Sequence, residues 1–412
     1  AQYTQTVLVA NDPIYQPTIL VDPLLQNGWG LALRPPGAGG HFWISNFGSG
    51  TTTTYVGDVH TPAGFLPLQQ DSLKVVGIAL GSGVRVDGRP VADPPQPTGQ
   101  VYNYSTSDFV VSGEGITGAS KFIFVTGEGT ISGWTEQTDS QGVLHRQTVS
   151  VIKVDQSPLF DDDRLRYTGC AVTDYPSGNF LYVTNYIEDV VEVYDHLWQR
   201  QTLPSGAFTY PGEPQDYKPF NIQYFRSGPN GEGRLWVAYA QAGDPWEQEA
   251  NQGAVAEFDL EGNFIRRLLI SPDFDGFADS ELKNPWGLAF APANFGPMSG
   301  MLLVANFGDG TIAAFDPATM RFVDYLRDDN GEPLIVDGIW GMVVGNGVRL
   351  GDSNAIYFAA GPNSEIDGTF GTIRLTSATC PVIATQPVAS VETCVGGDAH
   401  VSVSAPGPVA QT

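Results

Sequence analysis

Residues 284–290 read NPWGLAF, and the same theme returns as NGWGLAL at 27–33 and GIWGMVV at 338–344. In each, a bulky ring is followed by glycine and then by an apolar run of strand length. A looser form, a bulky or β-branched residue before a small one, occurs six times: Trp29-Gly30, Thr98-Gly99, Thr168-Gly169, Phe220-Asn221, Trp286-Gly287 and Trp340-Gly341. The spacings are 69, 70, 52, 66 and 54 residues, a mean unit of about 62. Self-similarity at such a period marks a repeat architecture.

Working outward, each pair precedes a second apolar strand, a glycine-rich turn and a third strand. The best copies are HFWISNFGSGTTTTYVG (41–57) and LLVANFGDGTIAAFD (302–316). A fourth strand fits where sequence remains, as in VLHRQTVSVIKV (143–154) and NFIRRLLI (263–270). Six such units predict an all-β six-bladed β-propeller with four-stranded antiparallel blades over residues 1–376. The sixth unit runs out near Leu375 with three strands, while QYTQTVLVA (2–10) precedes the first unit. Pairing that N-terminal strand as the outer strand of the last blade closes the ring and covers both edges.

Composition narrows the function classes. Hydrophobic residues make up 42% of the 412, and Gly 49 and Pro 30 suit a fold of many tight turns. Basic residues number 20 against 45 acidic, a net charge of −25 that repels phosphate backbones and argues against a nucleic-acid partner. No apolar run of 18 residues exists, so no helix of this chain is expected to span a membrane. The opening Ala1-Gln2 reads as the mature end of an exported chain. Cys170 reads as a buried free thiol. Cys380 and Cys394 bracket a short segment, and in an oxidising compartment a disulfide between them closes a loop worth about 3 kcal/mol.

The motifs NPWGLAFAP (284–292), VANFGDGTIAAFDP (304–317) and GIWGMVVGNG (338–347) together resemble a family of uncharacterised secreted bacterial six-bladed propellers related to NHL-repeat proteins. The resemblance covers residues 1–376 and implies the propeller fold and an exported location, but no catalytic residues. Residues 377–412 resemble the start of a bacterial immunoglobulin-like domain, which needs about 100 residues in full.

The start of each innermost strand is expected to line a mouth of the central channel. Candidate ligand-binding residues there are Trp29, Phe220, Asn221, Asn284, Trp286 and Trp340, with Asn27, Gln100 and Asp337 as neighbours. Their rings offer either stacking faces for a ligand or wedges between blades, with Gly permitting close approach. Six-bladed lactonases hold calcium or zinc at such a mouth through oxygens from several blades, whereas this set is amide-rich with one carboxylate. A separate calcium candidate is the loop SPDFDGFADSELKNP (271–285), with Asp273, Asp275, Asp279 and Glu281 and the D-x-D-G opening of a calcium loop, though without the rest of that loop's spacing. Asp161-Asp162-Asp163 is a weaker acidic run beside Arg164 and Arg166. Asn46, Asn185 and Asn306 recur at one place in three units and are expected to bond their own turns. His145 and His196 are the mid-chain candidates for a general base, and Asn103-Tyr104-Ser105 matches a glycosylation sequon.

Two functions follow. One is a secreted or cell-surface, non-catalytic propeller that binds a protein or glycan. The alternative is a calcium-dependent hydrolase or lyase, lactonase-like, with its site at the channel mouth. No cofactor other than that calcium is implied, and the oligomeric state is left open.

Overall fold

Each repeat signature lies in the innermost strand of one blade, at its second and third residues in five blades and at its fourth and fifth in blade 4. Blade 1 comprises Gly28–Leu33, Phe42–Asn46, Thr51–Tyr55 and Val75–Gly77; blade 2, Pro97–Tyr102, Phe122–Thr126, Thr130–Trp134 and Val151–Asp155. Blade 3 comprises Tyr167–Val172, Phe180–Asn185, Val190–Asp195 and Arg200–Gln201; blade 4, Tyr217–Phe225, Arg234–Gln241, Gly253–Phe258 and Phe264–Arg267. Blade 5 runs Pro285–Phe290, Leu302–Asn306, Ile312–Phe315 and Phe322–Tyr325; blade 6 runs Ile339–Val344, Ile356–Ala360 and Thr369–Leu375. This is a computed structural model in which residues 2–160, 166–241, 252–270 and 280–376 are described. The tail 377–412, with Cys380 and Cys394, therefore lies outside the described residues, as do Asp273, Asp275 and Asp279.

The second strands read as continuous apolar runs because a blade is covered on both faces. Phe122–Thr126, Leu302–Asn306 and Ile356–Ala360 are buried at every position. Six separate apolar cores result, one per pair of adjacent blades. Trp43, Phe122 and Trp134 fill the core between blades 1 and 2. Leu31, Ile44, Tyr357 and Phe370 fill the one between blades 1 and 6, which completes the circle.

The fourth strand of blade 6 comes from the other end of the chain. Tyr3–Ala10 pairs antiparallel with Thr369–Leu375, from Tyr3↔Leu375 to Ala10↔Thr369, with an irregularity between Val7 and Val9. The sequence called for this closure. Buried Tyr3 anchors the strand, its hydroxyl donating to the Phe295 carbonyl at 2.8 Å. A short strand, Leu20–Val21, adds parallel to it as a fifth. Arg374 clasps the seam between blades 6 and 1, with Nη2 at 2.8 Å from Asp58 and 2.9 Å from Asp352.

The signature glycines are needed where adjacent innermost strands converge. A Cβ on Gly30 would lie 2.6 Å from the Thr98 carbonyl oxygen, and one on Gly341 would lie 2.6 Å from that of Trp29. At Gly287 it would overlap the Trp340 carbonyl outright. Where blade 4 has Asn221 instead, the amide turns the close approach into a bond, donating to the Trp286 carbonyl at 2.7 Å.

Candidate functional site

The signature rings fill one end of the channel. Trp29, Phe220, Trp286 and Trp340 form one buried cluster with Tyr186, Ala240 and Phe307, and Phe47 and Ile187 pack against it. These residues come from blades 1, 3, 4, 5 and 6, and a cluster fed by five blades sits on the axis. Trp29 and Trp340 stack at 3.6 Å between centroids, and Phe307 stacks on Trp340 at 3.9 Å. Trp286 stands edge-on to both tryptophans, at 5.9 and 5.8 Å. Blade 2 contributes no ring; Thr98 instead donates to the Tyr167 carbonyl at 2.8 Å.

Innermost strands present a free backbone edge to the axis, and buried edge groups need partners. Side chains near the plug supply them. Trp286 Nε1 reaches the Thr168 carbonyl of blade 3 at 2.9 Å. Gln100 donates to the carbonyls of Gly30 and Trp43. Gln223 accepts from the Leu288 amide at 2.7 Å. Trp340 Nε1 donates to Asn27 Oδ1 at 3.0 Å, whereas neither amide atom of fully buried Asn284 has a partner among the described residues.

An open concavity on the axis lies at the opposite ends of these strands, and a separate cavity of similar volume, lined by Arg85, Arg89 and Gln96, abuts Phe47 on the plugged side. The axial cavity, of about 540 Å³, runs from a floor of Trp286, Asn221 and Gln100 to a rim of Tyr102, Tyr104, Asp174, Tyr224, Arg226 and Asn346. Its walls include Leu33, Val172, Phe225 and Val344. Asp174 is held in a fixed orientation. Arg226 reaches it with Nε at 2.8 Å and Nη2 at 2.7 Å, and the Tyr224 hydroxyl donates to it at 2.7 Å. Burial, then that bond to Asp174, pushes the Tyr224 phenol up. Tyr104 lies edge-on to Tyr102, with centroids 5.1 Å apart, and burial followed by the Asp174 charge raises its phenol. Cys170, also on the wall, is a free buried thiol whose pKa burial raises, so it has little thiolate character.

Of the six residues singled out in the sequence, Asn221 and Trp286 line this cavity. Trp29, Phe220 and Trp340 lie inside the plug, and Asn284 is buried beside its entrance strand. Asn46 bonds Thr51 and Thr53 of its own hairpin, as expected, but the other two hairpin asparagines do more. Asn306 Oδ1 accepts from the Lys283 amide and Asn185 Oδ1 from the Arg166 amide, each tying the second strand to the chain entering the first. His145 is on an outer hairpin with Asp139 at 2.8 Å, and neither it nor His196 lines the cavity. Among the described residues, no three His, Cys, Asp or Glu side chains converge as a metal site would require. Asn103 of the sequon is 1% exposed, with Nδ2 bonded to the Ser120 carbonyl at 2.9 Å, which leaves no access for glycan transfer. The rim residues Tyr102, Tyr104, Asp174, Tyr224 and Arg226 were missed. The signal lay in strand length, because they fall a few residues beyond each signature pair, at the far mouth.

Fold and channel together define a six-bladed β-propeller with one blind and one open mouth. No family model matches the chain. It is 29% identical over 362 residues to uncharacterized protein R648 of Acanthamoeba polyphaga mimivirus, covering 85% of this chain and 76% of that one. Uncharacterized protein L690 of the same virus is 27% identical over 291 residues, covering 68% of each. These relatives are viral, where the motifs pointed to a bacterial family. Among solved structures, the GH93 α-L-arabinofuranosidase of Fusarium graminearum is similar at 9% identity and TM-score 0.49, covering 90% of this chain and 98% of that one. A streptogramin B lyase is similar at 12% identity and TM-score 0.38, covering 91% and 97%.

Proposed function

We propose that this chain is a secreted or cell-surface recognition propeller that takes its ligand into the open half of the channel and does no chemistry on it. The observation that carries this is the blind cavity: an ordered, partly apolar pit with polar groups gathered at its rim. Its volume falls in the range of small-ligand sites, about 300–1,000 Å³. The calcium-dependent hydrolase alternative asks for several side-chain oxygens from different blades. Within the cavity the one carboxylate is Asp174, and Arg226 and Tyr224 already engage it.

The test is a substitution that narrows the pit. Val344→Trp is expected to weaken capture of a ligand by the purified chain about tenfold or more, while its overpacking against the core between blades 5 and 6 costs about 1–3 kcal/mol, a few degrees of melting temperature. Binding that is unchanged with the cavity narrowed would move the ligand elsewhere and overturn the proposal. Metal analysis before and after chelation addresses the alternative, since a stoichiometric ion whose removal lowers the melting temperature would favour it. The exported setting has its own check. A mass two units below the reduced value, without reductant, would show Cys380 and Cys394 joined.

A further inference from the structure

We propose that the rim of the open mouth is a subsite for the end of an uncharged saccharide chain, with Tyr104 as its stacking face and the Asp174–Arg226 pair as its hydroxyl clamp. This rests on the recognition function above and names the ligand class.

Tyr104 is 49% exposed, and its hydroxyl has no partner among the described residues. Yet the segment that presents it is rigid. Asn103 bonds the carbonyls of Ser105, Asp108 and Ser120 through Nδ2 and accepts the Ser105 amide at 3.1 Å, and the Ser105 hydroxyl crosses to the Pro176 carbonyl of the next blade at 2.8 Å. A half-exposed ring on a fixed support binds with little ordering cost. Its apolar face suits the C–H face of a pyranose, and its free hydroxyl can serve a ring substituent.

The opposing groups fit hydroxyls. Arg226 and Tyr224 fix the Asp174 carboxylate, whose Oδ1 already accepts twice and whose Oδ2 keeps one acceptor site for a ligand hydroxyl, beside guanidinium N–H donors that can serve a second. Because the pair is internally neutral, it selects against charged ligands. An anion would face Asp174 within a chain of net charge −25, and a cation would have to compete with Arg226. Tyr104 and Asp174 both line the open cavity, so ring and carboxylate look onto the same space.

The blind floor selects a chain end. Gln100, Gln223 and Asn221 have already committed amide groups to backbone partners, and Trp286 closes the axis behind them. A polymer cannot thread through, so only a terminus enters.

The experiment uses the full chain on an array of neutral and acidic oligosaccharides, in parallel with a displayed peptide library. The proteins are wild type, Tyr104→Ala, Tyr104→Phe, Asp174→Asn and the cavity-narrowed Val344→Trp, each checked by thermal melting. Neutral saccharides are expected to bind, with losses of about tenfold or more in Tyr104→Ala and Asp174→Asn and near-parent binding in Tyr104→Phe. Saccharide binding indifferent to both rim variants overturns the subsite. Peptides that bind in place of sugars and are weakened in Val344→Trp overturn the ligand class but leave the recognition function standing. Ligands of either kind that bind Val344→Trp as well as wild type overturn both.

Discussion

Trp340→Ala separates packing from ligand contact most cleanly, because Trp340 is fully buried and lines no part of the open cavity. Removing a buried tryptophan side chain costs about 3–5 kcal/mol in transfer and cavity terms. Here the ring lies between Trp29 at 3.6 Å and Phe307 at 3.9 Å, with Phe220 and Trp286 edge-on, so collapse around the hole is hindered from four sides. The change also strips the donor from Asn27 Oδ1, and leaving a buried acceptor unpaired costs about 1–3 kcal/mol. Asn27 keeps its other bond, to Glu365, which holds the amide in place instead of letting it turn to water. About 5 kcal/mol is therefore expected. At an unfolding entropy of about 2.1 cal/mol/K per residue, a chain of this length loses about 5–6 °C of melting temperature if the ring melts as one unit. Trp340→Phe keeps most of the stack and loses only the donor, so its shift should be about a third as large. Differential scanning calorimetry on the full chain reads both shifts, and binding is measured well below the lower midpoint. A Trp340→Ala chain that melts within 1 °C of wild type but fails to bind ligand would refute the account, since the ring would then be a ligand face.

Three further outcomes follow from other buried groups. Asn284 (φ 47°), Asn27 (φ 48°) and Gly338 (φ 64°) occupy one left-handed position two residues before a signature Trp; the Asn27 amide is bonded at both ends, whereas the Asn284 amide has no partner among the described residues. Asn284→Gly should therefore leave melting unchanged or raise it, while Asn27→Gly should cost about 2 kcal/mol, read by thermal melting; a larger loss at Asn284 would contradict this. Glu128 is fully buried and titrates at about 7, because burial outweighs its bond from the Gln96 amide. Its ordinary value is 4.5, so the folded chain holds the extra proton between these values, and stability falls as pH rises from 4.5 through 7, by about 3 kcal/mol in all. Glu128→Gln should flatten that part of the profile relative to wild type; Glu213, also raised to about 7, contributes the same sign in both proteins and cancels in the comparison. Arg374→Ala leaves buried Asp58 with only the Tyr357 hydroxyl as a side-chain partner at the closing seam, and should cost about 2–4 kcal/mol. An Asp58→Asn/Arg374→Ala double variant should lose less than the two single changes combined, and strict additivity would show that the clasp is not coupled.

The architecture was legible because the signature pairs answer a demand every blade shares. Six innermost strands converge on one axis, so the backbone must come close and the hub must be filled. Gly30, Gly287 and Gly341 meet the first demand, and Trp29, Trp286 and Trp340 the second. Which mouth the rings seal was harder to read. Antiparallel pairing sets Gly28 opposite Asn46, Tyr167 opposite Asn185 and Pro285 opposite Asn306. The residues that follow those asparagines, Phe47, Tyr186 and Phe307, are thereby delivered to the same end of the axis as the signature rings. The asparagines stood out in the sequence, but the rings beside them did not, and without those three the hub could have remained open there.

The rim resisted reading for the opposite reason, since it does not repeat. Asp174 and Arg226 meet across blades 3 and 4 and nowhere else in the ring is that pair reproduced among the described residues, while Tyr104 is held out by an Asn103 network peculiar to blade 2. A residue required by the fold recurs with the period of the fold, and a residue required by one ligand has no reason to. The division falls along the axis of this molecule: recurrent rings and glycines seal one mouth, and single-copy side chains surround the other. Substitutions at the recurrent rings should therefore act on melting and at single-copy rim positions on binding, while Trp286, the one signature ring that lines the cavity, answers to both. It belongs to the plug, forms the floor of the cavity, and anchors blade 5 to the Thr168 carbonyl across the channel.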